Sequence, residues 1–505
     1  MNYHVNYKKE KAPKIGIVAN SIGVFSSLGK QMVEEQFETL FTQFEEEGVI
    51  SKDSILYPQR IFGPDEATKV ANLFTQERVD VIIILNSAFP NGNTFLTLAN
   101  DPYLSKIPLI VTAPSEAELE TPEWTTNAWC GVIMNNYVAK RLGRYIYPLA
   151  GWPEDPEYQN AIKMLLQVFF GVKELRKDLL GRFGDAPGGF HSASGDQLAY
   201  AKLFGTRMDT IDWTAVMESY RTGLAKGYKG EVHFNEEEIK ETAEEMKKGR
   251  LVLIQDELIY KASRLYHAFR SIIEANGFTS AAFRCWPEMG EPYIGVAPCL
   301  SIGWLLSKRD ITAASCEGDW PTAVTQSIGT LLSGKPAACL DFVNYSGQSP
   351  IVQLGHCGVG IAGFMAPNQL GLEGGVSEEI KEKIMSGKIK VNDAIAEKSP
   401  ERQGEQKVGP AHIGQFQYGV KTGINLIQDK NEKFKMLVFT GENKPKTAKG
   451  LLYCAADVEV QNYQRLNELI LEHGFSHHLA MAFGDISKEL AILCDYYGIE
   501  YITPD

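Results

Sequence analysis

Two doubly wound α/β domains with parallel sheets, followed by a β-rich, barrel-like C-terminal domain, are expected of this chain. Through the first two thirds, short apolar β-rich runs alternate with helical stretches of about a dozen residues, as in parallel strands joined by crossover helices. From about Ile351 the texture changes: glycines are frequent, strands are short, and the charged stretch Ser377 to Lys407 interrupts them. These shifts place domain limits at 1–157, 158–350 and 351–505 of the 505 residues. Domains of roughly 100 to 200 residues are the common size.

The first domain opens on the buried-strand run Ile15-Gly16-Ile17-Val18-Ala19, and Gly29 to Glu47 carries helical periodicity. Val79 to Leu85 and Ile107 to Thr112 are further strands. Asn86 to Asn93 follows a strand C-terminus, where open α/β sheets place ligands. The second domain starts near Tyr158 with a long helical stretch, Ala161 to Leu180, followed by Gly181-Arg182-Phe183-Gly184. Asn235 to Lys248 reads as a helix with a solvated acidic face, and Leu251 to Ala275 as a more buried one. Ala281 to Arg284 and Ile311 to Ser315 read as strands. Trp320 to Leu332 reads as a helix stopped by Gly334-Lys335-Pro336, and Ala337 to Phe342 as another strand. Helices Asn462 to Glu472 and Ser487 to Tyr497 close the chain.

Composition narrows the function classes. Apolar content of 44% and charged content of 22% are those of a soluble globular protein. A net charge of −13 argues against nucleic acid and anionic membrane as partners. No apolar run approaches the roughly 18 residues of a membrane span. Met1 to Lys14 is polar, with no apolar signal core. The 8 cysteines show no paired metal or redox spacing and read as reduced core thiols, so a cytoplasmic protein is expected. The glycines between Gly16 and Gly29 do not fit a dinucleotide fingerprint and no P-loop occurs, which disfavours a nucleotide-dependent enzyme.

The chemistry concentrates between Ser315 and Phe364. Glu317, Asp341 and His356 each sit at the end of a short apolar run, and the pair His477-His478 follows late in the chain. Two carboxylates with one or two imidazoles form a hard ligand set that suits Mn²⁺ or Mg²⁺. Each residue also has a plainer reading. Glu317 fits an acid favoured by a helix dipole, although Asp319 has the stronger claim to cap the helix beginning at Trp320. Asp341 is costly in a buried strand unless paired or metal-bound, or else it has already emerged into solvent. A lone histidine such as His356 is more often structural. Adjacent histidines on a strand face opposite ways, so at most one of His477 and His478 is expected to point into a site.

The order of these blocks resembles the L-fucose isomerase and L-arabinose isomerase superfamily, most closely from Ala281 to Gly363. Cys316-Glu317-Gly318-Asp319-Trp320-Pro321-Thr322-Ala323 is similar to the A-E-G-D-W-K-T-A pattern of arabinose isomerases. Gly474-Phe475-Ser476-His477-His478 resembles their late histidine element. The resemblance implies that Glu317 and Asp341 bind the metal and act as acid and base, with His478 as the late ligand and His477 beside it facing substrate or structure. His356 matches a ligand of the arabinose isomerases. Asp341, a glutamate in that branch, is aspartate as in the fucose branch. Mn²⁺ is the implied metal, with Mg²⁺ or Co²⁺ as alternatives. The implied assembly is a homo-oligomer, hexamer or trimer, with sites near subunit boundaries, where Phe89 and Asn91 reach a neighbour's site.

The implied reaction moves a proton between C1 and C2 of a sugar through an enediolate. A divalent metal on the two oxygens acidifies the C–H bond, and two carboxylates shuttle protons. Arg284 and Trp286 precede the metal motif and are candidates to contact the sugar. Arg182, beside the loop Gly188-Gly189-Phe190-His191, is another. The substrate is expected to be a deoxy- or modified hexose or a pentose. An acidic sugar such as sulfoquinovose is included because Arg182 or Arg284 offers a guanidinium fork to a sulfonate. The competing reading is a non-catalytic sugar-binding or regulatory protein on the same scaffold.

Overall fold

The computed structural model describes residues 12–23, 27–116, 126–285, 294–344, 349–371, 382–383, 386, 388, 410–445 and 454–504. Trp286 and most of the charged stretch Ser377 to Lys407 lie outside them. Contacts divide the chain into one compact unit spanning Asn6–Lys173 and a second spanning Glu174–Asp505. Among the described residues no helix is long and apolar enough to cross a membrane.

The first unit is built on five parallel strands: β1 (Ile15–Asn20), β2 (Ile55–Leu56), β3 (Val81–Asn86), β4 (Leu109–Ala113) and β5 (Tyr147–Ala150). Their order, β2-β1-β3-β4-β5, reverses direction at β1, the signature of a doubly wound sheet. β3 is buried on both faces throughout, which explains its unbroken apolar run. Val70, Phe74, Phe95 and Val132 come from flanking helices and pack with Ile82 and Ile84 in its core.

The second unit begins with β6 (Leu179–Phe183) and β7 (Arg207–Ile211). A hairpin, β8 (Leu224–Gly227) and β9 (Gly230–His233), and the short β10 (Leu251–Val252) precede β11 (Ser280–Phe283) and β12 (Ala314–Ser315). β12-β11-β6-β7 form a second parallel sheet. Phe183, Phe269 and Phe283 pack together in its core, with Phe183 stacked on Phe283 at 4.7 Å between centroids.

The remaining strands are β13 (Ala338–Asn344), β14 (Ile351–His356), β15 (Met365–Gly371), β16 (Ala411–Phe416), β17 (Gly419–Gln428), β18 (Phe434–Lys444), β19 (Cys454–Glu459), β20 (His478–Phe483) and β21 (Glu500–Ile502). Six of them close a ring, β19-β14-β13-β20-β17-β18 and back to β19, every pairing antiparallel. The C-terminal part is therefore an antiparallel β-barrel, and closure removes the exposed strand edges that an open sheet would carry. β16 and β15 extend it from β19, and β21 adds to β18. One continuous core runs from Phe183 through Phe283 and Leu340 to Phe483 and Ile502, joining the second sheet and the barrel.

Candidate metal centre

The turn from β12 into the helix Trp320–Ser333 is wound tightly. Glu317 has φ +58° and Gly318 has φ +64°. A left-handed glutamate is uncommon and must be held in place by its surroundings. Here the Gly318 N–H donates to the Phe283 carbonyl at 2.9 Å, and the Ser315 hydroxyl donates to the Asp319 carbonyl at 2.6 Å. Pro321 in the first helical turn suits the helix start. The turn thus aims Glu317 off the C-terminal end of the parallel sheet. Its side chain is only 12% exposed, unlike a solvated acid on a helix face.

Asp341 and His478 are directly opposite one another on β13 and β20, so their side chains share a face. His478 Nε2 lies 3.0 Å from Glu317 Oε2 and 3.2 Å from Asp341 Oδ1. On its other side, Nδ1 donates to Asp319 Oδ2 at 2.7 Å. Asp319 also caps the helix, accepting from the Thr322 N–H at 2.9 Å and the Thr322 hydroxyl at 2.8 Å. The sequence reading gave Asp319 only this capping role. Its proximity to Glu317 in E-G-D was the available signal for the second one.

The second role fixes the tautomer of His478: with Nδ1–H committed to Asp319, the Nε2 lone pair faces Glu317 and Asp341. A carboxylate behind a histidine in this way is the usual support of a metal-ligating imidazole. The ligand atoms fall into two overlapping groups, Asp341-His356-His478 and Glu317-His477-His478, each within 4.8 Å. Asp341 Oδ1, His356 Nε2 and His478 Nε2 are all buried, and none makes a hydrogen bond. Three converging orphaned polar atoms are costly unless something occupies the space between them. Two carboxylate oxygens and an imidazole nitrogen fit a hard divalent cation.

Electrostatics agree. Burial disfavours charge on His478, but the carboxylates of Asp319, Asp341 and Glu317 beside it outweigh burial and raise the imidazole well above its usual range. Burial alone raises a carboxylate, yet His478, His356 and His477 hold Asp341 below its usual value. His356 is fully buried, and burial lowers its affinity for a proton. Its Nδ1 accepts the Cys357 N–H at 2.9 Å, so the neutral ring carries its proton on Nε2.

His477 departs from the alternation expected of adjacent strand residues. It precedes β20 and spends its carbonyl on the Phe342 N–H, so both imidazoles reach the same region with centroids 4.3 Å apart. Phe190 meets His477 edge-on at 5.9 Å, and the Ser192 hydroxyl lies 3.4 Å from its Nδ1. Arg182 is the penultimate residue of β6 and Arg284 directly follows β11, both at the sheet edge from which Glu317 emerges. Trp286 is outside the described residues. Phe89 and Asn91 belong to the first unit. Asn91 caps the helix Gly92–Asn100 and donates to the Phe62 carbonyl at 3.0 Å, and the Phe89 N–H donates to the Thr126 carbonyl.

No family model matches the chain. It is 25% identical over 421 residues to a sulfoquinovose isomerase of Alkalicoccus urumqiensis, covering 81% of this chain and 83% of that protein. It is 23% identical over 425 residues to a sulfoquinovose isomerase of Clostridium sp. (strain MSTE9), covering 80% and 84%. Both alignments cover about four fifths of the chain, so the likeness is not confined to the motifs around Glu317 and His478.

Proposed function

We propose that this chain is a metal-dependent aldose–ketose isomerase, an intramolecular oxidoreductase, acting on sulfoquinovose or a closely related acidic hexose. The observation that carries the reading is the convergence of Asp341 Oδ1, His478 Nε2 and the Glu317 carboxylate, with buried atoms left unpaired. The two relatives named sulfoquinovose isomerase support a sugar isomerase and suggest the substrate.

Glu317, Asp341 and His478 would hold the cation, Mn²⁺ in this reading with Mg²⁺ or Co²⁺ as alternatives. Bound there, it would supply the Lewis acidity that makes the C–H bond beside the sugar's carbonyl more acidic. Glu317 and Asp341 then divide the proton traffic, one between C1 and C2 and the other between O1 and O2. Asp319 keeps His478 in its productive tautomer. His356, with its proton on Nε2, donates to a substrate oxygen. His477, packed by Phe190 and Ser192, walls the same side. A homo-oligomer of the hexamer or trimer kind, cytoplasmic, completes the reading.

The sugar-binding alternative draws no support from the relatives and leaves the paired carboxylates without a task. Metal-stripped protein assayed on sulfoquinovose, L-fucose, L-arabinose and D-glucose decides the matter. Ketose formation that returns only with added Mn²⁺ is expected. Activity undiminished by metal removal overturns the metal centre, and silence on every sugar with Mn²⁺ bound overturns the isomerase reading.

A further inference from the structure

We propose that Arg182 is the receptor for the substrate's anionic group, a sulfonate at the sugar carbon remote from the carbonyl end. This rests on the isomerase reading above and deepens it. Arg182 is the penultimate residue of β6, paired in register with Ala282 on one side and Thr210 on the other. Its neighbour Phe183 packs against Phe269 and Phe283. Strand alternation therefore turns Arg182 to the opposite face, at the C-terminal edge where α/β sheets bind ligands.

The guanidinium is deeply buried for a charged group, with 12% of the side chain exposed. Its Nε and Nη2 are buried and make no hydrogen bond among the described residues. Asp185 Oδ1 lies 2.5 Å from Nη2 but out of line for a hydrogen bond, and the Asp185 side chain is 73% exposed. Asp185 Oδ1 is already engaged, accepting the Ala186 N–H at 2.7 Å. A buried cation needs a well-aligned anion to offset its desolvation, and this carboxylate supplies charge without alignment. A sulfonate presents oxygens in the geometry that a guanidinium fork binds bidentately.

The position also lies close to the candidate centre. The Asp185 carbonyl packs against the turn that carries Glu317: a Cβ on Gly318 would sit 2.9 Å from it. The loop continues to Phe190 and Ser192 against His477. Arg182 is thus one residue contact away from the turn holding the candidate catalytic carboxylate. The sugar's carbonyl end would lie at Glu317 and Asp341 and its sulfonate at Arg182, with Asp185 swinging into solvent as the anion arrives.

The test compares wild type with Arg182→Gln, Arg182→Lys and Asp185→Asn. kcat/KM is measured on sulfoquinovose and on 6-deoxy-D-glucose, the same sugar without the sulfonate, with Mn²⁺ affinity as the control for an intact centre. Arg182→Gln should lose about 100-fold or more on sulfoquinovose, the scale of breaking a buried charged pair. Its loss on 6-deoxy-D-glucose should be at least tenfold smaller, and Mn²⁺ binding should persist. Arg182→Lys should recover part of the loss. Asp185→Asn, which removes the competing carboxylate at an exposed position, should lower KM for sulfoquinovose alone. An equal loss on both sugars, or none on either, overturns the proposal. Should Arg182→Gln fail to fold, an unchanged KM in Asp185→Asn does so. If wild type turns over neither sugar, the isomerase reading fails, and calorimetric titration with sulfoquinovose still decides the anion site. Binding abolished in Arg182→Gln upholds it, and binding that is equal in the two proteins, or missing from wild type, overturns it.

Discussion

His478 is held by three carboxylates at once, and the division of labour among them governs what the ring can do. Asp319 takes Nδ1–H, while Glu317 and Asp341 face Nε2. Replacing Asp319 with asparagine removes the charge behind the ring and lets an amide N–H face Nδ1. We expect Mn²⁺ affinity to fall by about 10- to 100-fold, as for other supports of metal-bound histidines. Asparagine still caps the helix, so stability should fall only by the lost charge–dipole contribution, up to about 1 kcal/mol. Calorimetric titration and a urea melt read the two effects separately.

The raised proton affinity of His478 has a defined pH signature. Its folded value lies above the unfolded 6.5. In the metal-free protein its contribution to stability is therefore complete below pH 6.5 and is lost as pH rises through the folded value. A cation at Nε2 must displace that proton. Apparent Mn²⁺ affinity should accordingly climb from pH 6 to pH 8, whereas a flat profile would mean that His478 does not bind the metal.

At the scale of elements, the turn Ser315–Asp319 is the most constrained piece of the site. Gly318 combines a left-handed φ of +64° with a backbone oxygen 2.9 Å from any added Cβ. Gly318→Ala should destabilise the protein by about 1–3 kcal/mol and displace Glu317, so the urea midpoint and activity fall together. An alanine variant with an unchanged midpoint would contradict the reading of the turn.

Local sequence carried much of this architecture and missed it where tertiary contacts overrule local pattern. Ile15 to Asn20, Trp320 to Ser333 and Ser487 to Tyr497 lie where periodicity puts them. The helical stretch expected to reach Leu180 ends at Lys177, because buried Asp178 accepts from the Thr279 and Ser280 hydroxyls and turns the chain into β6. Leu251 and Val252 read as the start of a helix but pair with Gln369 and Leu370 as β10, and the helix begins at Asp256. Both are long-range effects that no window of a dozen residues contains. The helices Gln197–Phe204 and Trp213–Thr222 went unread although Asp196 and Asp212 cap them in the ordinary way.

Across the whole molecule, the candidate centre joins two layers far apart in sequence: Glu317 and Asp319 come from the end of the second parallel sheet, Asp341 and His478 from the closed barrel. Residue type and order marked Glu317, Asp341 and His478 as a set. The tautomer lock by Asp319 and the joint presentation of His477 and His478 were not legible, since both depend on where a strand begins rather than on composition. A cation bridging the two layers stabilises the folded state by mass action, about 2.7 kcal/mol at a hundredfold excess over its dissociation constant. Adding Mn²⁺ to metal-stripped protein should raise the melting temperature, and an unchanged melt would contradict binding at this centre.

The central claim is that Glu317, Asp341 and a bound cation move a proton at the sugar's carbonyl end. Proton NMR of sulfoquinovose with Mn²⁺-loaded protein in heavy water, quenched with chelator before acquisition, tests it most directly. Wild type is predicted to form the ketose and exchange the carbon-bound hydrogen with solvent, and both signals should drop by about 100-fold or more in Glu317→Gln. Ketose formation persisting at the wild-type rate in Glu317→Gln, or in metal-stripped protein, would contradict the account.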